Sequence, residues 1–141
     1  MNKPTEQYVL DTSALLAFTD SEDGAEVVDA LLRQAQMSKV ELMVSFASWM
    51  EVYYIYLQEQ GREHAQLWIS KLKKLPLVRV DSDEITGQIA GELKASHRMS
   101  FADAWIAASA KRHGAILVQD PEFESVSQAI QLLALPYRQV S

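Results

Sequence analysis

Four acidic residues stand where carboxylates could share one site: Asp11, Glu51, Asp103 and Asp120. Asp11 directly follows the apolar run "YVL", and Asp120 follows "AILVQ". Glu51 and Asp103 each come three residues after a serine, in "SWME" and "SFAD". Two carboxylates about 4 Å apart repel by roughly 4 kcal/mol at an effective dielectric near 20. Such a cluster therefore needs a cation or protons.

The available ligand types favour a hard divalent ion. The chain has no cysteine, and His64, His97 and His113 lack the spacing of a paired zinc site. Oxygen-only ligands indicate Mg²⁺ or Mn²⁺. One or two such ions can activate water and stabilise an in-line displacement at phosphorus. The chemistry that this predicts is metal-dependent phosphodiester hydrolysis.

Each carboxylate also has an ordinary structural interpretation. Ser-x-x-Glu and Ser-x-x-Asp are capping-box patterns, so Glu51 and Asp103 can belong to the first turns of helices. Asp11 can cap the helix that "TSALLAF" begins, and Asp120, before Pro121, can begin a turn. The joint occurrence of the four favours a site, while each one alone leaves the capping interpretation open.

The surrounding pattern predicts alternating strands and helices. The predicted strands are "YVL", "ELMV", "LVRV" and "AILV" (Ala115 to Val118), with a possible edge strand near "LPYRQV". The predicted helices cover "TSALLAF", "GAEVVDALLRQAQ", a segment from about Ser48 to Gly61, "REHAQLWISKLKKL", "DEITGQIAGELKASH" capped by Ser82, a segment from Ser100 to Gly114, and more weakly "FESVSQAIQLL". Short apolar strands between helices indicate a parallel sheet covered on both faces. Ligands of such sheets bind beyond the carboxyl ends of the strands.

Composition limits the class of protein. The 141 residues suit one domain, 1–141, and the formal net charge of −6 argues against a general nucleic-acid binder while leaving room for a nuclease with acidic residues around a metal. The lack of cysteine and of any run of about 20 apolar residues leads us to expect a soluble cytoplasmic protein without a membrane span.

Four segments together resemble a known family: "VLDTSALLA", "SWMEVYY", "MSFADAWIAASAKRHGAILV" and "DPEF". In order and spacing they resemble the PIN-domain ribonucleases, especially the VapC-type toxins of toxin–antitoxin pairs. The resemblance implies a three-layer α/β/α sandwich with a central, mainly parallel sheet of four to five strands. It also implies a homodimer and an antitoxin that covers the acidic cleft. Many relatives have a Thr, Ser or His and one further residue before the final Asp, whereas "ILVQD" is one residue shorter and has Gln119 next to Asp120.

Carried over by position, the resemblance implies a Mg²⁺ or Mn²⁺ site with metal-binding and catalytic residues Asp11, Glu51, Asp103 and Asp120. Ser13 or Thr12 would support Asp11 through a hydroxyl. The expected function is therefore an endoribonuclease toxin that hydrolyses RNA with metal-activated water. Arg98 either contacts RNA phosphate or is a plain surface residue.

Two other functions stay open at this point. A non-catalytic interaction module could keep the fold without the chemistry. A Mg²⁺-dependent phosphatase could use Asp11 as a nucleophile, but that chemistry usually has a second Asp two residues on, where this chain has Ser13.

The aromatic residues of "WMEVYYIYL" could contribute to an antitoxin interface or pack in the core. Tyr54 and Tyr56 cannot both face the core, because they lie two positions apart on one helix.

Overall fold

The computed structural model describes residues 5–119, 123, 126 and 130–136. Its central sheet has five strands in the order β3-β2-β1-β4-β5, and every neighbouring pair is parallel. The strands are β1 (Glu6–Leu10), β2 (Val40–Ser45), β3 (Leu77–Val80), β4 (Ile116–Gln119) and β5 (Leu132–Ala134). The predicted parallel sheet is confirmed.

Helices connect the strands and cover both faces of the sheet. Within the part of the chain that the structure describes they are α1 (Thr12–Thr19), α2 (Ala25–Gln36), α3 (Phe46–Gln60), α4 (Arg62–Lys73), α5 (Glu84–Ser96) and α6 (Phe101–His113). Successive strand residues point to opposite faces. Leu10 and Val118 accordingly pack in one core with residues of α1 to α4, while Val9 and Leu117 pack in the other with residues of α5 and α6. The expected three-layer sandwich is confirmed.

A polar contact holds α1 against α3. Tyr56 of α3 is fully buried, whereas Tyr54 keeps 40% of its surface exposed, as the helical spacing requires. The Tyr56 hydroxyl donates to Asp20 Oδ1 at 2.7 Å and contacts the hydroxyl of Thr19. Burial raises the pKa of Tyr56 to about 12. The phenol therefore stays protonated and fixes the C-terminal end of α1.

Two predicted helix starts were wrong, because another side chain does the capping. Helix α3 begins at Phe46, directly after β2, and Ser45 caps it by accepting from the Ala47 N–H at 3.2 Å. Ser48 is thus inside the helix, and Glu51 lies in its second turn. Helix α5 is capped by Asp83 instead of Ser82, since the Asp83 carboxylate accepts from the Thr86 N–H at 2.8 Å.

The C-terminal prediction was also wrong in part. The edge strand β5 is Leu132–Ala134, so two residues assigned to the weak helix "FESVSQAIQLL" belong to a strand that precedes "LPYRQV". Pairing with β4 at Leu117↔Leu132 and Gln119↔Ala134 gives these residues backbone partners. Five of the eleven residues of the predicted helix, and residues 137–141, lie outside the described residues. No helix among the residues described is long and apolar enough to cross a bilayer.

Candidate acidic site

The strand order reverses between β1 and β4. From β1 the chain proceeds outward through β2 and β3, and it returns to the other side of β1 as β4. Leu10 pairs with Val118 at this junction, and the next residue, Asp11, donates its backbone N–H to the Val118 carbonyl at 3.1 Å. In parallel α/β sheets, ligands bind in the crevice outside the carboxyl ends of the strands at such a reversal. Asp11 is therefore placed where this fold binds ligands.

Asp11 caps α1 as well as lying at the reversal. Its Oδ1 accepts from the Ala14 N–H at 2.7 Å, and the residue is only 2% exposed. The capping interpretation of the sequence is thus correct for this residue. A carboxylate has about four acceptor positions. Capping is consequently compatible with a second role as a metal ligand.

Glu51 is tied to the start of α1. Thr12 Oγ1 donates to Glu51 Oε1 at 2.6 Å and lies 3.2 Å from Ser48 Oγ. Glu51 is half-buried, and Ser48 is fully buried. The sequence interpretation assigned the hydroxyl of Ser13 or Thr12 to Asp11, whereas the structure directs the Thr12 hydroxyl to Glu51. This contact fixes one oxygen of Glu51 at Thr12, the residue that follows Asp11 in the chain.

Asp103 lies in the first turn of α6, as predicted. Ser100 caps this helix by accepting from the Asp103 N–H at 3.1 Å. Asp103 is half-buried, and burial raises the pKa of its carboxyl while a hydrogen bond with the Ser100 side chain lowers it by less. Asp103 shares a helical stripe with Ala107 and Ala110, which pack in the core beneath α6. The carboxylate is therefore on the helix face that is turned toward the sheet.

Asp120 lies outside the described residues, but its neighbour Gln119 is described. Gln119 is the last residue of β4 and is fully buried. Its side-chain Oε1 accepts from the Phe123 N–H at 3.3 Å, and its Nε2 has no hydrogen-bond partner among the described residues. The sequence interpretation noted Gln119 in the short segment "LVQD" only as the neighbour of Asp120 and did not predict its burial.

The donor set suits a hard divalent ion, although the described part of it is incomplete. Asp11, Glu51 and Asp103 offer only carboxylate oxygens, the ligands that Mg²⁺ and Mn²⁺ prefer. Among the residues that the structure describes, no group of three or more His, Cys, Asp and Glu side chains is arranged to hold a metal ion. The fourth candidate ligand, Asp120, is not among them.

The three histidines and Arg98, the other residues considered for metal or RNA binding, lie on the surface or in local contacts. His64 and His113 are exposed, and His97 Nδ1 lies 3.1 Å from the Leu93 carbonyl at the end of α5. Arg98 is exposed two residues before Ser100. His64 and His113 are thus surface residues, and the His97 imidazole contacts its own helix.

Comparison with known proteins identifies a family. The model of the PIN domain matches residues 8–128. No curated protein matches the chain.

Solved structures share the fold at low identity. VapBC2 from Rickettsia felis, bound to a DNA fragment from its promoter, is 19% identical with a TM-score of 0.75, covering 92% of this chain and 99% of that one. DNA-bound VapBC from Salmonella typhimurium is 18% identical with a TM-score of 0.70, covering 92% and 98%. VapC20 from Mycobacterium tuberculosis, a toxin that cleaves the sarcin–ricin loop, is 17% identical with a TM-score of 0.64, covering 84% and 94%.

Proposed function

Because this chain belongs to the PIN domain family, whose model matches residues 8–128, we propose that it is a divalent-metal-dependent endoribonuclease. The single observation that carries the proposal is the position of Asp11, buried at the strand reversal, with Glu51 hydrogen-bonded to the next residue, Thr12. The family is one of nucleases, and the fold is that of toxin–antitoxin proteins such as VapBC2. The family match also supports our proposal that residues 1–141 form a single domain.

The proposed ligands of Mg²⁺ or Mn²⁺ are Asp11, Glu51, Asp103 and Asp120. A divalent ion bound there supplies the activation of water and the neutralisation of phosphate charge that phosphodiester hydrolysis requires. The chain's own residues orient the carboxylates. Asp11 is held by the Ala14 N–H, and Glu51 by the Thr12 hydroxyl. Burial of Asp103 excludes water from part of its carboxylate, which strengthens its interaction with a cation.

We propose that the nuclease is the toxin of a toxin–antitoxin pair. Support comes from the fold shared with VapBC complexes and with VapC20, a toxin that cleaves the sarcin–ricin loop. The proposal includes a protein antitoxin, a homodimer, an RNA substrate and a cytoplasmic location. Arg98, exposed ahead of α6, is the residue that we propose to contact RNA phosphate.

The test is cleavage of mixed cellular RNA by the purified chain, freed of any bound partner, with Mg²⁺, with Mn²⁺ and with EDTA. Asp103→Asn is the site variant. Glu84→Gln, exposed at the start of α5, removes one negative charge beside the Asp83–Arg112 pair, at the other end of α6 from Asp103, and is the matched control. We expect discrete products that depend on metal, persist in Glu84→Gln and disappear in Asp103→Asn.

Two results would contradict the proposal. Equal cleavage by Asp103→Asn and wild type would remove Asp103 from the site. Failure both to cleave RNA and to bind Mn²⁺ in calorimetry would favour the non-catalytic interaction module. The antitoxin is tested separately, by co-purification of the chain with the product of the adjacent reading frame.

A further inference from the structure

Gln119 carries a buried donor that nothing in the described structure uses. The residue is fully buried at the carboxyl end of β4, and its Oε1 already accepts from the Phe123 N–H. Its Nε2 is buried without a hydrogen-bond partner among residues 5–119, 123, 126 and 130–136. Buried polar groups are nearly always paired, and those left unpaired in native structures need an explanation.

The strand pattern shows which side of the sheet Gln119 faces. Val118 packs in the core on the α1 side, and Leu117 packs in the core beneath α6. Because side chains alternate along a strand, Gln119 shares the face of Leu117 and α6. The side-chain amide is therefore between the end of β4 and the helix layer that carries Asp103.

The connection from α6 to β4 places Asp103 at the same edge of the sheet as Gln119, where the carboxyl ends of the strands lie. Only Gly114 and Ala115 separate the helix from the strand, so α6 runs back along the sheet and its first turn lies toward the carboxyl ends of the strands. Asp103 is on the stripe of Ala107 and Ala110, which faces the sheet. Asp103 is half-buried there. The same face at the carboxyl edge of the sheet thus holds a half-buried carboxylate, which can accept hydrogen bonds, and a donor without a partner among the described residues.

We propose that Gln119 is a positioning residue of the acidic site, whose Nε2 donates to the Asp103 carboxylate when a divalent ion is bound. This inference rests on the proposed function. Groups in the outer shell of a metal site orient the ligating carboxylates through such hydrogen bonds. An amide suits the role because it donates without adding charge to an acidic cluster. With the ion bound, the buried donor has its partner, and one oxygen of Asp103 is fixed.

The direct test is NMR of the side-chain amide of Gln119 during a Mg²⁺ titration of the wild-type chain. The pair of amide protons is assigned through bonds from the Gln119 backbone. We expect one proton to move downfield and to exchange more slowly with water at saturating Mg²⁺. Gln88, exposed on α5, is the control within the same spectrum and should not move.

The outcomes separate this inference from the proposed function. If the backbone amides of Asp11 and Asp103 respond to Mg²⁺ while the Gln119 side chain does not, the site stands and the role of Gln119 is wrong. If no amide responds, the metal site itself is wrong, and the inference fails with it.

A variant supplies the second measurement. Gln119→Met keeps the size of the side chain and removes its hydrogen bonds, and we expect Mn²⁺ affinity in calorimetry to fall about tenfold. Gln88→Met should bind Mn²⁺ as wild type does. A Gln119→Met protein that is less stable in EDTA but binds Mn²⁺ with wild-type affinity would show that Gln119 only holds the turn at Phe123.

Discussion

Asp11 has two roles in this structure, and a pair of substitutions separates them. One carboxylate oxygen caps α1 through the Ala14 N–H at 2.7 Å, and the charge of the same group belongs to the proposed metal site. Asp11→Asn keeps a side-chain oxygen that can cap the helix and removes the charge. Asp11→Ala removes both. Asn and Asp are about equally good N-cap residues, whereas Ala is poor.

The expected stability difference follows from the cap. Loss of an N-cap costs about 1 kcal/mol, within a range of roughly 0.5–2 kcal/mol. For a chain of this size that corresponds to a melting temperature about 4 °C lower. We therefore expect Asp11→Asn to unfold near the wild-type temperature in EDTA and Asp11→Ala about 4 °C below Asp11→Asn. Thermal unfolding followed by circular dichroism gives both values.

The two variants should differ in stability but not in activity, because both lack the negative charge of Asp11. RNA cleavage in Mg²⁺ should fall at least about 100-fold in each, the scale on which loss of a group that stabilises transition-state charge acts. Equal melting temperatures for the two variants would refute the capping argument. Cleavage by Asp11→Asn at the wild-type rate would refute the assignment of Asp11 to the metal site.

Three further predictions follow from the same contacts. Because burial raises the pKa of Asp103, the folded protein holds the proton of this carboxyl more tightly than the unfolded chain does. The ionised carboxylate therefore destabilises the fold, and this destabilisation grows as the pH rises from 3.8, the pKa in the unfolded chain, through the higher pKa in the folded protein. In EDTA, Asp103→Asn should therefore be more stable than wild type at pH 7 and no more stable at pH 3, as measured by urea unfolding at each pH. Thr12→Val removes the hydroxyl that donates to Glu51 and should slow cleavage about tenfold, the effect of losing roughly 1.4 kcal/mol, whereas Thr12→Ser should retain most of the rate. Tyr56→Phe removes the buried hydroxyl at the end of α1 and should cost about 1 kcal/mol in unfolding free energy, while Tyr54→Phe on the exposed side should leave stability unchanged.

Much of the fold could be predicted from the sequence because its signals are local. Short apolar runs such as "LVRV" are strands where they were expected, and Gly61 and Gly114 end helices α3 and α6 as predicted. The two wrong helix starts occurred where two nearby residues could both cap the same helix. Ser45 and Ser48 are both good capping residues, and only the point at which β2 ends decides that Ser45 caps α3.

Residue types and their positions in the chain were enough to select the candidate carboxylates and the kind of ion that their oxygens suit, because residue type fixes ligand chemistry. It did not determine which groups meet. The contact between Thr12 and Glu51 joins residues 39 positions apart, and it exists because α1 and α3 pack on the same face of the sheet. Gln119 is likewise buried at the end of β4 with β5 beside it, where it pairs with Ala134, 15 positions away. Such contacts depend on the packing of distant elements, so the tertiary structure alone decided them.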